Sequence, residues 1–430
     1  MLGIRFRRPR ARTPEPAPAP TPAPEPTLPR DHYIPVRLRD LGPLLESDPG
    51  LTRVERATWT DLARLVEATF QHEFTQKRTD LIEQYTPIDP DIDWHELDGL
   101  TPRRTDGSFH RFLAGFESLL LAANYRRLDR AAIEAAIEEA NETGVRYEPQ
   151  LHLFDDLRVY VRGEAVIRRE VRHLKNPLRK RVVLHPGFRR MVVAFKFRPE
   201  VDPGADLTRP DVLYLRLFKN VPRVDMEMHL PEQGTRVRMR WLDKAQIASP
   251  VAMGLPPLLV KLIGITSFLA LPFGTLAGLL VAPFSLATKS FFGFQRAKSK
   301  HLHHMIRHLY YLNLANNRSV IESVADVAAE EEVKEVLLAY FVLWRQAPPV
   351  GSRAWTGDAL DRAVEALLLQ RTGLRLDFEI GDAVGKLLRL GLLRRDADAL
   401  TVVDPREALR LLDSRWDAAF RHANPRDLGT

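Results

Sequence analysis

Residues 245–288 form a run of 44 residues in which Lys261 is the sole charge. No other stretch restricts the fold as strongly. A helix rises about 1.5 Å per residue and needs roughly 20 apolar residues to cross a bilayer core. The run is too long for one span and suits two. Lipid offers no water to the backbone, so two helices joined by a tight turn are the expected solution, near 247–266 and 268–288. Lys261 then lies about a turn and a half from the connection, where its stem can snorkel to the interface. Pro272 offers a rival turn, and a helical pair buried inside a large soluble domain is the alternative to spanning.

Basic residues flank the run on both sides: Arg236, Arg238, Arg240 and Lys244 before it, Lys289, Arg296, Lys298, Lys300 and Arg307 after it. The positive-inside rule then predicts a multi-pass membrane protein with two spans and both termini cytoplasmic, or an inner mitochondrial membrane protein in a eukaryote. Expected partners are the lipid bilayer, anionic lipid headgroups facing those clusters, and a protein partner or a second copy of the chain.

The rest of the chain is too polar for a polytopic transporter. Lys and Arg total 63 against 56 acids, a formal charge of +7 over 430 residues, which favours acidic partners. Cysteine is absent, which excludes disulfides, thiolate metal sites and a Cys nucleophile. Residues 1–30 begin with five arginines by Arg12 and continue with prolines alternating from Pro14 to Pro26. That pattern does not read as a secretory signal. It predicts a disordered tail with polyproline character.

Residues 31–144 read as a helical domain. Trp59, Leu62, Leu65, Val66, Phe70 and Phe74 recur at helical spacing between Val54 and Gln84, and further helices are expected over Phe109–Asn124 and Leu128–Thr143. Residues 145–244 switch to alternating patterning. Six short strands are predicted, Tyr147–His152, Leu157–Arg162, Ala165–Val171, Arg181–Leu184, Met191–Phe197 and Val212–Phe218, separated by turns such as Arg162-Gly163 and His185-Pro186-Gly187. They suggest an antiparallel meander, with Arg168, Arg169, Arg172, Lys175, Arg179, Lys180 and Arg181 along one face or as a charged sheet edge.

Residues 289–430 are helical again. Helices are expected over Glu330–Trp344, from Thr356 as N-cap to Gly373, over Phe378–Leu390, and over Pro405–Phe420, with a hairpin around Ala397–Ala399. This order matches a winged-helix-like module. The predicted whole is an α+β membrane protein of helical region, meander, transmembrane hairpin and winged-helix-like end.

The sequence also resembles a known family through an ordered set of motifs. Tyr85-Thr86-Pro87-Ile88-Asp89-Pro90-Asp91 is followed by Leu217-Phe218-Lys219-Asn220-Val221-Pro222-Arg223-Val224-Asp225-Met226-Glu227. Arg236–Arg240 and Leu242-Asp243-Lys244 then precede the apolar run. Lys289-Ser290-Phe291-Phe292-Gly293, Leu309–Asn317 and Glu330–Glu335 follow it. This succession is similar to the uncharacterised membrane-protein family that includes eukaryotic transmembrane protein 143. Ile88 and Ala315 depart from the pattern, which has an aromatic and an acid there. The resemblance implies two spans and carries no catalytic residue.

Several constellations imitate sites. His301, His304 and His308 share a helical face, with His303 beside them, but no carboxylate joins them before Glu322. Asp89, Asp91 and Asp93 imitate an EF-hand start, yet Trp94 and Leu100 stand where glycine and glutamate are required. His72-Glu73 lacks the second zincin histidine and reads as a solvated helix face. Glu330–Glu332 read as first-turn acids offsetting a helix dipole. Gly274 and Gly278 form a G-x-x-x-G. No P-loop, dinucleotide, G-x-S-x-G or kinase signature occurs. The expected recognition helix carries only Lys386 and Arg389 against Glu379 and Asp382, too little charge for DNA, so nucleic acid is not the expected partner.

No catalytic, cofactor or metal residue is assigned on these grounds. The sequence-level expectation is a non-enzymatic membrane-anchored scaffold or adaptor. The alternatives are a membrane enzyme acting on lipid and a tethered nucleic-acid binder.

Overall fold

A computed structural model describes residues 30–91, 107–135, 146–149, 151–173, 176–200, 209–223, 226, 229, 235–238, 310–350 and 354–419. The N-terminal part opens with α1 (Leu38–Glu46) and α2 (Arg53–Tyr85). Helix α2 starts in a capping box: the Thr52 hydroxyl accepts from the Glu55 amide while the Glu55 carboxylate accepts from the Thr52 amide. It buries Trp59, Leu62, Val66, Phe70, Phe74 and Leu81, the face that the spacing predicts. Helix α3 (Ser108–Ala122) follows.

A five-stranded antiparallel sheet runs in the order β1 (Arg126–Leu128), β3 (Phe154–His173), β4 (Asn176–Phe197), β5 (Tyr214–Pro222), β7 (Asn313–Asn316). A separate pair joins β2 (Arg146–Pro149) to β6 (Thr235–Arg238). Two predicted turns are not turns. Strands β3 and β4 are continuous over 20 and 22 residues, so four expected short strands merge into one long hairpin. Gly163 remains inside β3 at φ +76, where a Cβ would stand 2.8 Å from that of Arg189. Pro186 pairs with Val166 within the hairpin, and β5 stops one residue short of it, at Pro222 opposite Gly187. The missing Pro186 amide therefore interrupts no ladder with β5. Of the basic residues expected along one face, Lys175 lies outside the described residues; the others lie toward the far end of this hairpin, and from Arg169 to Arg181 nothing is described of their side chains.

Both faces of the sheet are apolar, with side chains alternating between them except across the register shift at Phe154–Asp156. Tyr160, Val192, Ala194, Leu215 and Leu217 face the helices, whereas Val159, Val161, Met191, Val193 and Phe195 join Phe154, Phe197 and Phe218 on the other face.

The C-terminal part contributes α4 (Arg318–Arg345), α5 (Gly357–Thr372), α6 (Ile380–Leu390), the hairpin β8 (Leu393–Asp396) and β9 (Ala399–Val402), and α7 (Pro405–Ala419). Thr356 caps α5, and Gly373 and Gly391 end α5 and α6 in the left-handed region, as their positions predict. Helix α4 starts twelve residues earlier than the expected Glu330, and every residue from Glu331 to Leu343 is buried. A helix covered on all sides is the axis of a core. Helices α1, α2, α3, α5 and α6 pack on it, and α7 packs on α2. One core cluster therefore runs from Ile34 to Leu412, drawing on both ends of the sequence.

The membrane expectation is corrected. Among the described residues, no helix is long and apolar enough to cross a membrane. Helices α2 and α4 have the length, but α2 carries charge along its outer face and α4 carries Glu330, Glu331, Glu332, Lys334 and Glu335 mid-way. The predicted hairpin at 245–288, with Gly274 and Gly278, lies outside the described residues. The α+β class with an antiparallel sheet and helices holds. The transmembrane fold class, the two-span topology, and the cytoplasmic or inner mitochondrial placement of the termini do not.

Candidate functional site

Three polar features concentrate around α4: a strained asparagine at its start, a buried charge ladder in its middle, and a cleft against α2.

Asn317 precedes α4 at φ 49, ψ −125, a conformation that costs a non-glycine residue energy and persists only where the surroundings impose it. Here they do. The Asn317 amide donates to Leu215 O at 2.8 Å, its Oδ1 accepts from the Leu215 amide at 3.1 Å, and its Nδ2 donates to Asp91 at 2.5 Å. The Tyr85 hydroxyl donates to Leu213 O at 2.7 Å and lies 3.3 Å from Asn317 Oδ1. Burial, then the neighbouring Asp89 and Asp91, hold the Tyr85 phenol well above its ordinary pKa, so it stays a proton donor. Two motifs more than 220 positions apart thus meet on β5 in a junction whose polar groups satisfy one another.

The charge ladder lies deeper. Lys334, 2% exposed, donates to Glu331 at 2.7 Å and to the carbonyls of Ile34 and Val36 at 2.8 and 3.1 Å. It fastens the N-terminal segment to α4. Glu331 also accepts from the Ile34 amide and from Asn124 Nδ2, both at 3.3 Å, and lies 3.9 Å from Arg162 of β3. The Arg162 guanidinium sits over the rings of Tyr33 and Tyr125, at 4.3 and 5.0 Å from their centroids. One turn along, Lys386 of α6 meets Glu335 at 2.6 Å, Asp382 at 2.7 Å and Glu332 at 2.8 Å. Burial raises the Glu331 carboxyl against the pull of Lys334, and raises Glu332 to about 7 against the pull of Lys386. Burial lowers the Lys386 ammonium, but Glu335, Glu332 and Asp382 outweigh it and hold the group above its ordinary value.

The cleft, about 530 Å³, opens between α2 and α4 beside the start of α1. Its floor is Phe74, Ala325, Ala329 and Val333, and the small side chains of α4 leave the space. Its rim carries Arg37, Arg39, Arg78, Glu67, Asp326 and Glu330. Glu330 accepts from the Leu38 amide at 2.7 Å and so occupies the N-terminus of α1, which Arg37 leaves uncapped. Arg37 pairs with Asp40 and Arg78 with Asp326, at 2.6 and 3.5 Å. Arg39 is exposed at the mouth and forms no ion pair among the described residues.

With this geometry in place, comparison with known proteins gives a match to part of the chain. Residues 188–319 match the family described as a protein of unknown function, DUF3754. No solved structure matches the chain. The matched stretch runs from within β4 through β5 and β7 to the first residues of α4, so it includes Leu213, Leu215 and Asn317 of the junction but not Tyr85 or Asp91.

The sequence-predicted candidates distribute as follows. His301, His303, His304 and His308 lie outside the described residues, as do Asp93, Trp94 and Leu100. Asp89 is buried and accepts the Asp91 amide at 3.0 Å, while Asp91 takes the Asn317 amide group, so both serve the junction. His72-Glu73 is not a solvated face: Glu73 accepts from Arg389 at 2.7 Å, and the His72 ring stands 5.8 Å from that of Trp416. Glu330–Glu332 are not first-turn acids but the middle of α4. Both cations of α6, Lys386 and Arg389, are committed to internal carboxylates rather than free for phosphate. Among the described residues, no group of three or more His, Cys, Asp or Glu could hold a metal ion. Sequence reading missed Arg162, Asn124 and Asn317. The one signal available for the ladder was a Glu-Glu-Glu-x-Lys-Glu run inside an otherwise apolar helical stretch.

Proposed function

We propose that the protein is a non-enzymatic scaffold or adaptor that receives a segment of a partner protein in the cleft between α2 and α4. The observation that carries this reading is how the ionisable groups are used. The buried carboxylates and cations of the ladder face one another, and the motif residues at Asn317 are engaged with backbone groups and with each other. Catalytic acids and bases are instead poised against an open space where substrate can stand.

The cleft supports binding. It combines an apolar floor with a rim of both charge signs, and its volume suits a few side chains of a docked segment. Arg39 at the mouth favours a segment that presents an apolar side chain flanked by a carboxylate. The order of motifs supports kinship with the family that includes eukaryotic transmembrane protein 143, and that kinship brings no activity with it.

The test is a photo-crosslinking residue at Thr75 on the cleft rim, compared with one at Arg415 on α7, in cells that express the protein. The reading expects one discrete protein adduct at position 75 only, abolished when Ala329→Trp fills the floor without changing the melting temperature by more than a few degrees. Adducts of equal yield at both positions, or persistence in the Ala329→Trp variant, would refute it.

A further inference from the structure

The ladder holds four carboxylates, Glu331, Glu332, Glu335 and Asp382, against three cations, Lys334, Lys386 and Arg162. The imbalance is local: the buried carboxylates Glu332 and Glu335 share the single ammonium of Lys386 with the half-exposed Asp382, whereas Glu331 has Lys334 and Arg162 on its own side. Asn124 adds amide protons at 3.0 Å to Glu335 and 3.3 Å to Glu331, but it carries no charge. A buried uncompensated charge is costly, and the cheapest remedy is to bind a proton.

The geometry also says which carboxyl takes it. Glu331 has Lys334, the Ile34 amide and Asn124. Glu335 has Lys386 and Asn124. Asp382 is more than half exposed, so water serves it. Glu332 is 7% exposed and has Lys386 alone, an ammonium that it shares with two competitors. The groups facing Glu332 are Glu335 of its own helix and Lys386 and Asp382 of α6. Arg162 of β3 stands on the Glu331 side, and Arg389 of α6 is turned to Glu73 of α2.

We propose that the contact between α4 and α6 is a proton-binding site centred on Glu332, and that loss of this proton as pH rises weakens the docking of α6 on α4. Burial, opposed by Lys386, moves the Glu332 carboxyl to about 7. An acid whose pKa is higher in the folded than in the unfolded chain makes the folded state the better proton binder. Its stabilisation is complete below the unfolded value of about 4.5 and is lost as pH rises through the folded value. Over that window the folding equilibrium constant should fall by up to about tenfold per pH unit, roughly fortyfold between pH 5 and 7. The inference stands apart from the cleft reading, because neither Glu332 nor Lys386 lines the cleft.

The experiment is urea unfolding of the full chain between pH 5 and 8.5, for wild type and for Glu332→Gln, which keeps the shape and removes the titration. His32, which lies 3.6 Å from Glu379 at the start of α6, is the ionisable ring beside that helix, so His32→Gln is included as a control. Wild type should lose stability relative to Glu332→Gln as pH rises, the variant should be the more stable at pH 8, and His32→Gln should follow wild type. Parallel curves for wild type and Glu332→Gln would overturn the proposal. If the variant does not fold, the Glu332 side-chain carboxyl ¹³C resonance of wild type decides. A titration midpoint near 7 supports the site, and one below 5 excludes it.

Discussion

Replacing Lys334 by methionine should destabilise the protein by about 3–5 kcal/mol, the scale expected when one partner of a buried ion pair is removed. The methionine fills the space but supplies no proton. Glu331 would keep its carboxylate in a site 2% exposed with only the Ile34 amide, Asn124 and a distant Arg162, and the carbonyls of Ile34 and Val36 would lose their donor. Urea unfolding at fixed pH measures the loss. Adding Glu331→Leu should recover a large part of it, because the pair then leaves no buried charge behind. A single-variant loss under about 1 kcal/mol would show that Lys334 is solvated in the folded state.

Trp59→Ala should cost a similar amount, about 3–5 kcal/mol, for a different reason. The indole is fully buried, stacks on Tyr340 at 6.1 Å and Trp344 at 5.9 Å, and meets the edge of Phe341 at 5.1 Å. Alanine would leave a cavity between α2 and α4 that rigid neighbours fill only in part. Trp59→Phe should cost much less, since it keeps an aromatic ring and removes an indole N–H that has no hydrogen-bond partner among the described residues. Equal losses for the two variants would show that the aromatic packing contributes little.

The parts of this fold that were legible in the sequence are those set by local chemistry. The Thr356 cap, the left-handed glycines at 373 and 391 and the helical stripe on α2 all act within a few residues. The parts that misled use the same local signals for non-local ends. Gly163 supplies a positive φ inside a strand rather than at a turn, and Pro186 is tolerated because β5 stops beside it. The triple glutamate of α4 imitates a helix start, yet its members find partners at Ile34, Leu38, Arg162 and Lys386, all at least 50 positions away. Buried charge is tolerated only where tertiary partners exist, and spacing along one segment does not reveal them. The membrane expectation rested on residues 245–288, their basic flanks and the family resemblance, and none of the described helices carries it.

The cleft was invisible in the sequence for a related reason. Its floor is made by Ala325 and Ala329, which in sequence read as ordinary helix formers, and by Phe74, which reads as core. Only the pairing of α2 with α4 turns two small residues into a recess.

At the centre of this account is the claim that helices from both ends of the chain form one cooperative core around α4. Native-state amide hydrogen exchange under increasing urea tests it most directly. The account predicts that the core amides of α2, α4 and α6 converge on one opening free energy, within about 1 kcal/mol. A set of α5, α6 and hairpin amides opening several kcal/mol below α2 and α4 would contradict it, and would make the C-terminal part a separate unit.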